Sequence, residues 1–144
     1  MRQLTLAVLM LLGAACSGNS STSPSTSTAP SGQQLAGNYA GTLVSNSSGF
    51  AQIGVGTLQA TLAQNGGSLN GSWTTTYANA AYNNAGSLTG TVSASSVTLT
   101  LTSDVTGLCP SSVTAAISGT TLSGTYETVN CSFTDGGQFK ITKQ

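Results

Sequence analysis

The chain has 144 residues, its three basic and three acidic side chains give a formal net charge of zero, and it contains no histidine. Without an excess of basic residues the protein has no means of neutralising a run of phosphates, which argues against binding to nucleic acid. The lack of histidine removes the usual general base of nucleophilic catalysis. The length allows one domain once targeting and linker segments are subtracted.

The N-terminus has the organisation of a bacterial export signal. Met1 and Arg2 form a short positive start, an apolar run covers residues 4–12, and small residues lead to Cys16. The apolar run is shorter than the about 20 residues that a membrane-spanning helix needs. Residues 1–15 are therefore predicted to be a cleaved signal peptide.

The same segment resembles a bacterial lipoprotein signal with its lipobox. The resemblance implies that the Cys16 thiol takes a diacylglycerol and that its amine is acylated, with palmitate as the expected chain. Gly13 stands where that family usually has leucine. Ser17 after the cysteine, rather than aspartate, implies delivery to the outer membrane. The alternative is an ordinary secretory signal followed by an incidental cysteine.

Residues 16–34 follow as a Ser/Thr/Pro-rich segment without apolar periodicity. Such a composition cannot bury enough surface to fold, so the segment is predicted to be a tether behind the lipidated cysteine. As a flexible chain it spans roughly 25 Å. The protein is thus expected to be lipid-anchored in the cell envelope.

From residue 35 to residue 144, apolar and polar residues alternate with a period of two, which predicts strands and no helix. Eight strands are expected, at about 35–45, 51–63, 68–77, 86–93, 97–103, 112–118, 121–131 and 137–143. Short strands joined by tight turns favour an all-β, eight-stranded antiparallel up-and-down meander barrel, because closure removes exposed edges. A two-sheet β-sandwich is the alternative.

Four tight turns set the predicted strand pairing. They are expected at Asn65-Gly66, Ala94-Ser95, Gly119-Thr120 and Asp135-Gly136. The corresponding cross-strand pairs are Leu62 with Leu69, Leu88 with Leu101, Val92 with Val97, Ile117 with Leu122, Ala115 with Gly124, Val113 with Tyr126, Asn130 with Ile141 and Ser132 with Phe139. In the second strand, Ile53 and Val55 have the opposite parity to Leu58, which predicts a bulge near Gly54 or Gly56.

Two cysteines remain in the body of the chain, Cys109 and Cys131. In an exported protein such a pair is expected to form a disulfide. The Gly119-Thr120 hairpin brings both to its open end, although the register places them on opposite faces unless Pro110 distorts the strand. A redox or metal pair is the rival interpretation, but there is no CxxC spacing and no histidine to support it.

No catalytic residues, metal site or cofactor are predicted. Asp104 and Asp135 are the carboxylates that a glycosidase pair would need, but both fall at predicted turns. The loop after the third strand is the candidate ligand-contact loop, because it interleaves aromatic and amide side chains where barrel loops usually bind. Its candidate contact residues are Tyr77, Asn79, Tyr82 and Asn83. The alternative is a mobile hairpin loop whose tyrosines pack on the rim of the barrel.

Three short segments look like strands of the avidin barrel: Gly37-Asn-Tyr39, Gly67-Ser-Leu-Asn-Gly-Ser-Trp73 and Leu122-Ser-Gly-Thr-Tyr126-Glu127. The resemblance implies an avidin-like or lipocalin-like barrel topology. Avidins line the biotin pocket with several tryptophans, whereas Trp73 is the single tryptophan here, so biotin binding is not implied.

The expected function is that of a membrane-anchored, non-catalytic binding or interaction module for a small molecule, a saccharide or a protein. One alternative is an inhibitor of a foreign lysozyme or protease, by analogy with other small barrel lipoproteins. A purely structural envelope protein is the other alternative.

Overall fold

The computed structural model describes residues 33–47, 49 and 53–144. Eight strands form one closed antiparallel barrel in chain order, with the first strand paired to the last. The strands are β1 Gly37–Ser45, β2 Val55–Asn65, β3 Ser68–Thr76, β4 Asn84–Val92, β5 Ser96–Ser103, β6 Ser111–Ser118, β7 Thr121–Thr128 and β8 Gly136–Lys143. The predicted meander barrel is confirmed, and the sandwich alternative is not what the chain forms.

The predictions for the signal peptide, for Cys16 and for the tether up to residue 32 lie outside the described residues. Within the part of the chain that the structure describes, no helix has the length and apolar character needed to cross a membrane.

Alternation along each strand builds the barrel. In β2, Leu58, Ala60 and Leu62 are buried, while Thr57 and Gln59 are exposed. Burying a leucine side chain contributes about 1.5–3 kcal/mol, so the inward rows drive closure and the threonine-rich outer rows keep the surface polar.

Two predicted hairpins have the observed register. Across the turn at residues 93–95, Leu88 pairs with Leu101 and Val92 with Val97. Across the turn at Gly119, the observed pairs are again the predicted ones, Ile117 with Leu122, Ala115 with Gly124 and Val113 with Tyr126. In both hairpins the tight turn and the apolar pattern specify the same register.

The predicted register of the β2–β3 hairpin is wrong by two residues. Asn65 pairs with Ser68, so the turn consists of Gly66 and Gly67, and Leu62 lies opposite Gly71 rather than Leu69. Gly66 has a φ of 59°, a conformation that glycine adopts without steric cost. Because the shift is an even number of residues, the inward face is unchanged.

The predicted turn at Asp135-Gly136 is also wrong. Asp135 is the last residue of a loop, residues 129–135, and β8 begins at Gly136, so that Ile141 pairs with Leu122 rather than with Asn130. The Thr128 N–H donates to the carbonyl oxygen of Asp135 (2.8 Å) and closes this loop.

The predicted bulge in β2 is not present. Ile53 precedes the strand, Gly54 has a φ of 80°, and β2 begins at Val55, whose side chain is exposed. The alternation of inward and outward side chains is interrupted at Gly54, before β2 begins. Within β2 the alternation is therefore regular.

The two ends of the barrel differ. The end that we call the turn end carries the tight turns after β2, β4 and β6, together with the start of β1 and the end of β8. The opposite end, the loop end, carries the longer connections after β1, β3, β5 and β7. Four buried side chains fill the turn end: Leu35, Tyr39, Leu69 and Val97. The Tyr39 hydroxyl donates to the Leu35 carbonyl oxygen (2.9 Å), which holds residue 35 as a plug.

Candidate ligand-binding cavity

A cavity of about 250 Å³ occupies the barrel interior and extends to the loop end. Its inner wall is almost wholly apolar. The wall residues are Leu43, Leu58, Ala60, Leu62, Trp73, Leu88, Leu99, Leu101, Val113, Ala115, Leu122, Phe139 and Ile141. Leu35, Tyr39, Leu69 and Val97, the buried side chains that fill the turn end, do not line it, so the cavity is closed at that end.

Small inward residues leave this space open. Ala60 and Ala115 are buried wall residues that offer only a methyl group. Gly124 lies beside Ala115 at an inward position, and a Cβ there would overlap the carbonyl oxygen of Thr114. Glycine is therefore required for the close approach of the two strands, and it adds no side chain to the interior. An eight-stranded barrel can be filled by its own side chains or can hold one small ligand, and these residues favour the second state.

Trp73 contributes an indole face to the wall. It is 8% exposed, and its Nε1–H donates to the Ser87 carbonyl oxygen at 3.0 Å. The neighbouring residue on β4 is Gly86, which has no side chain to hinder this contact. With its N–H satisfied by the backbone, the indole presents an apolar surface to whatever enters the cavity.

Polar side chains gather at the mouth of the cavity, at the loop end. Asp135 lines the cavity there, and its Oδ1 accepts a hydrogen bond from the Ser45 hydroxyl (2.6 Å). The Asp135 N–H donates to Thr128 Oγ1 at 2.9 Å, which fixes the backbone that carries the carboxylate. Two further wall residues at this end are Tyr77 and Tyr126. The cavity thus has an apolar depth and a polar entrance.

The phenols of the mouth are held neutral. Burial raises the pKa of Tyr126, and the negative charge of Asp135 raises it further, while a hydrogen bond with Ser45 opposes the shift. Burial and then the charge of Asp135 also raise the pKa of Tyr77. Both shifts favour the protonated phenol, and both hydroxyls lie close enough to Asp135 for its charge to contribute.

The predicted ligand-contact loop is divided between two roles. Tyr77 and Tyr82 line the cavity. Asn79 accepts from the Ala81 N–H (3.0 Å) and caps the short 3₁₀ helix Ala80–Tyr82, and Asn83 accepts from the Tyr77 N–H (2.8 Å). The two asparagines are not among the wall residues; their side chains hold the loop in shape. Contact between a ligand and the tyrosines stays a prediction.

The structure joins Cys109 and Cys131 by a disulfide, with their Cα atoms 5.9 Å apart. Both residues lie beyond the ends of β6 and β7, so the alternation of faces along the strands does not constrain them. The Val129 N–H donates to the Pro110 carbonyl oxygen at 2.9 Å, which extends the pairing up to the bridge. The disulfide therefore staples the loop after β5 to the loop after β7 at the mouth.

Exposed apolar side chains surround the mouth. Among the described residues, the large hydrophobic side chains that are notably exposed lie at the loop end: Val44, Val55, Tyr82, Val105, Leu108 and Phe133. We call this set the apolar rim. Tyr82, Leu108 and Phe133 belong to both the rim and the cavity wall, so the apolar surface is continuous from the outside into the barrel.

The sequence prediction missed Asp135, Tyr126 and Asn84 as residues at the mouth. The sequence predicts a turn at Asp135, because Asp-Gly is a common turn dipeptide. Tyr126 faces inward in the predicted pairing with Val113, and this alternation is the same for a residue of the core and for a residue that lines a cavity. Asn84 could have been found from the sequence, because it directly follows Asn83, the last residue of the candidate loop. In the structure its Oδ1 accepts from the Ser103 hydroxyl (2.7 Å).

The described residues contain no group of three or more metal-ligating side chains suited to a metal ion. Asp104, the other carboxylate considered for catalysis, is exposed and is not among the residues that line the cavity. The arrangement at the mouth can accept hydrogen bonds and attract a positive charge, and aromatic and aliphatic side chains line the cavity below it.

The fold is similar to a solved structure, that of EF1p2_mFAP2b bound to DFHBI. The match has a TM-score of 0.63 and 12% sequence identity, and it covers 76% of this chain and 94% of that chain. At this identity the likeness shows the barrel fold alone. No protein-family model and no curated protein matches the chain.

Proposed function

We propose that the barrel binds one small, mainly apolar molecule in its interior. The observation that carries this proposal is the cavity of about 250 Å³ with apolar walls, closed at the turn end and open at the loop end. A protein cavity of about 150 Å³ holds benzene, so this one suits a molecule of one or two rings or a short alkyl chain. The similar barrel of EF1p2_mFAP2b was solved with DFHBI bound, which supports the same use of the fold.

We propose that this binding is non-catalytic. Asp135 is the one titratable carboxylate among the described wall residues, and the chain has no histidine to act beside it. General acid–base chemistry on a glycoside needs a pair of carboxyl groups, and nucleophilic chemistry needs an activated hydroxyl or thiol. The cysteines of the body are joined to each other.

We further propose that Cys16 anchors the protein to a membrane, as its lipobox-like context suggests. The barrel sequence begins at the turn end, because β1 runs from Gly37 there to Ser45 at the mouth. A tether attached before residue 33 would therefore hold the barrel by its closed end. The mouth would face away from the anchoring membrane, where solutes reach it freely.

A second candidate function is docking on a protein, as an inhibitor of a foreign hydrolase would do. The apolar rim and the disulfide that staples two of its loops favour this candidate, because rigid exposed apolar loops suit protein contacts. A purely structural role, the third candidate, has no observation of its own to favour it over an open cavity.

The experiment is native mass spectrometry of residues 18–144, exported so that the disulfide forms and purified without detergent. This segment contains every strand, each paired on both edges, and the whole buried core from Leu35 to Ile141, so it holds all that closes the barrel. Extra mass that is lost on denaturation supports the proposal and identifies the molecule class. A bare polypeptide that also gains no thermal stability from 1-octanol or naphthalene overturns it.

A further inference from the structure

We propose that the molecule bound in the barrel carries a positively charged amine, which the Asp135 carboxylate binds at the mouth while the apolar part enters the cavity. This inference rests on the proposed function and names the chemical class of its ligand: a small apolar amine in its ammonium form.

The first step is the charge of the cavity. Asp135 is the single charged side chain among the described residues of the wall. The undescribed residues of the loop after β1 are Ser48 and 50–52 (Phe-Ala-Gln), which carry no charge by sequence. A ligand that enters the mouth therefore meets one fixed negative charge and no fixed positive charge.

The second step is the position of the lysines. Lys143 Nζ donates to the Gln34 carbonyl oxygen, at the turn end of the barrel. Lys140 lies on the exposed outer face of β8, paired across the ladder with Ser123 and Thr42. Among the described residues these are the lysines of the protein, and neither lines the cavity. Among the described residues, no cationic side chain is placed to pair with Asp135 in the cavity, so a ligand could supply the positive charge.

The third step is the surroundings of the carboxylate. Asp135 is only partly accessible, and a carboxylate in a partly desolvated site gains from a positively charged partner. Tyr77 and Tyr126 line the cavity close to it, and the negative charge of Asp135 contributes to the raised pKa of both phenols. Aromatic rings attract an ammonium group through the negative face of the ring, so ring and carboxylate favour the same kind of ligand.

The fourth step is the connection between the carboxylate at the mouth and the apolar depth of the cavity. The cavity continues from Asp135 down to apolar residues such as Leu88 and Leu122, with no charged described residue along the way. An amine without an apolar tail would leave this volume unused, and an apolar molecule without an amine would leave the carboxylate without a counter-charge. The two halves together select an amphiphile with its cationic group at one end.

The test compares three ligands that share one alkyl chain and differ in the head group: n-octylammonium, 1-octanol and octanoate. Binding is measured by calorimetric titration of residues 18–144 at pH 7, and by the fluorescence of Trp73, the single tryptophan, which lines the cavity. We expect n-octylammonium to bind at least about tenfold tighter than 1-octanol, a difference of about 1.4 kcal/mol. Octanoate should bind most weakly of the three.

The variant Asp135→Asn keeps an oxygen that can accept from Ser45, and it should reduce the preference for the ammonium over the alcohol to about onefold. Asp104→Asn is the matched control: it removes an exposed carboxylate from the loop after β5 and should leave the preference unchanged. If Asp135→Asn fails to fold, the comparison of the three ligands on the unmodified protein still decides the question.

The outcomes separate the two proposals. Binding of 1-octanol with no preference for the ammonium, or tighter binding of octanoate, overturns the amine inference and leaves the proposed function standing. A preference that persists in Asp135→Asn also overturns it. If none of the three ligands binds, the amine inference is overturned, and the native mass spectrum together with the response to naphthalene decides the proposed function.

Discussion

Ala115→Leu should fill the cavity without destroying the barrel. Ala115 is 2% exposed, lines the cavity, and has Val97 and Gly124 as its cross-strand neighbours. Leucine adds three carbon atoms, and each buried carbon contributes about 0.8 kcal/mol, so an empty interior gains at most about 2.4 kcal/mol of unfolding free energy. In a filled interior, the same change forces strain of about 1–3 kcal/mol.

The assay has two parts, denaturant unfolding of the free protein and titration with 1-octanol. We expect the unfolding free energy to be retained or raised, and the affinity for 1-octanol to fall at least about tenfold, because the leucine occupies the space that the ligand needs. Ala116→Leu is the matched control, since the next residue is on the exposed outer face. Loss of more than about 2 kcal/mol of stability in Ala115→Leu, or unchanged affinity, would refute the reasoning that the interior is open.

Three further predictions concern the Cys109–Cys131 disulfide, Tyr126 at the mouth of the cavity, and the close approach of β6 and β7 at Gly124. Replacing Cys109 and Cys131 by alanine removes a bridge of sequence separation 22 and should cost about 3.4 kcal/mol in the chain-entropy model, seen by calorimetry as a Tm lower by roughly 10–15 °C. The pKa of Tyr126 is raised above its ordinary value of 10.0, so the folded state holds this proton more tightly than the unfolded chain does. Stability present below pH 10 should therefore fall as the pH rises above it, by at most about 1.4 kcal/mol per pH unit, and Tyr126→Phe should flatten the decline in denaturant midpoints. Gly124→Ala places a Cβ against the Thr114 carbonyl oxygen and should lower the unfolding free energy by about 1–3 kcal/mol.

Each of these has a result that would contradict it. The disulfide would contribute little to thermal stability if its reduction left the Tm within about 3 °C of that of the oxidised protein. An equal alkaline decline in Tyr126→Phe and in the unmodified protein would show that other groups control it. A Gly124→Ala protein as stable as the original would mean that β6 and β7 can separate at no cost.

The alternation of apolar and polar residues was sufficient to predict eight strands and a closed meander. The prediction succeeded because each strand has one buried face, formed in β2 by residues such as Leu58 and Leu62. The strand and its inward face are therefore both specified by the alternation. Register was recovered where a tight turn and the apolar pattern agreed, as at Gly119. At Gly66 the pattern tolerated a shift of two residues, since such a shift leaves every side chain on the same face.

The cavity and its mouth were less accessible to sequence reasoning. Periodicity shows which residues face inward, but whether inward side chains fill the interior depends on strand tilt and on close approaches such as that at Gly124. Asp135 was missed because it lies in the loop of residues 129–135, in which Cys131 is bonded to Cys109, a residue far away in the sequence. Local dipeptide preferences carry no information about such a partner.

The barrel sequence starts and ends at the same place. The Gln144 N–H donates to the Asn38 carbonyl oxygen at 2.9 Å, so the last residue lies against the first strand at the turn end. Because β1 and β8 also pair, the eight strands form an unbroken ring. A chain that began at a different strand could therefore form the same ring of paired strands. A short linker between the two ends, with a new opening in the exposed loop of residues 104–108, would give a circular permutant of the same ring. Its termini would flank the entrance, so a fused reporter would lie beside the site of the proposed ligand.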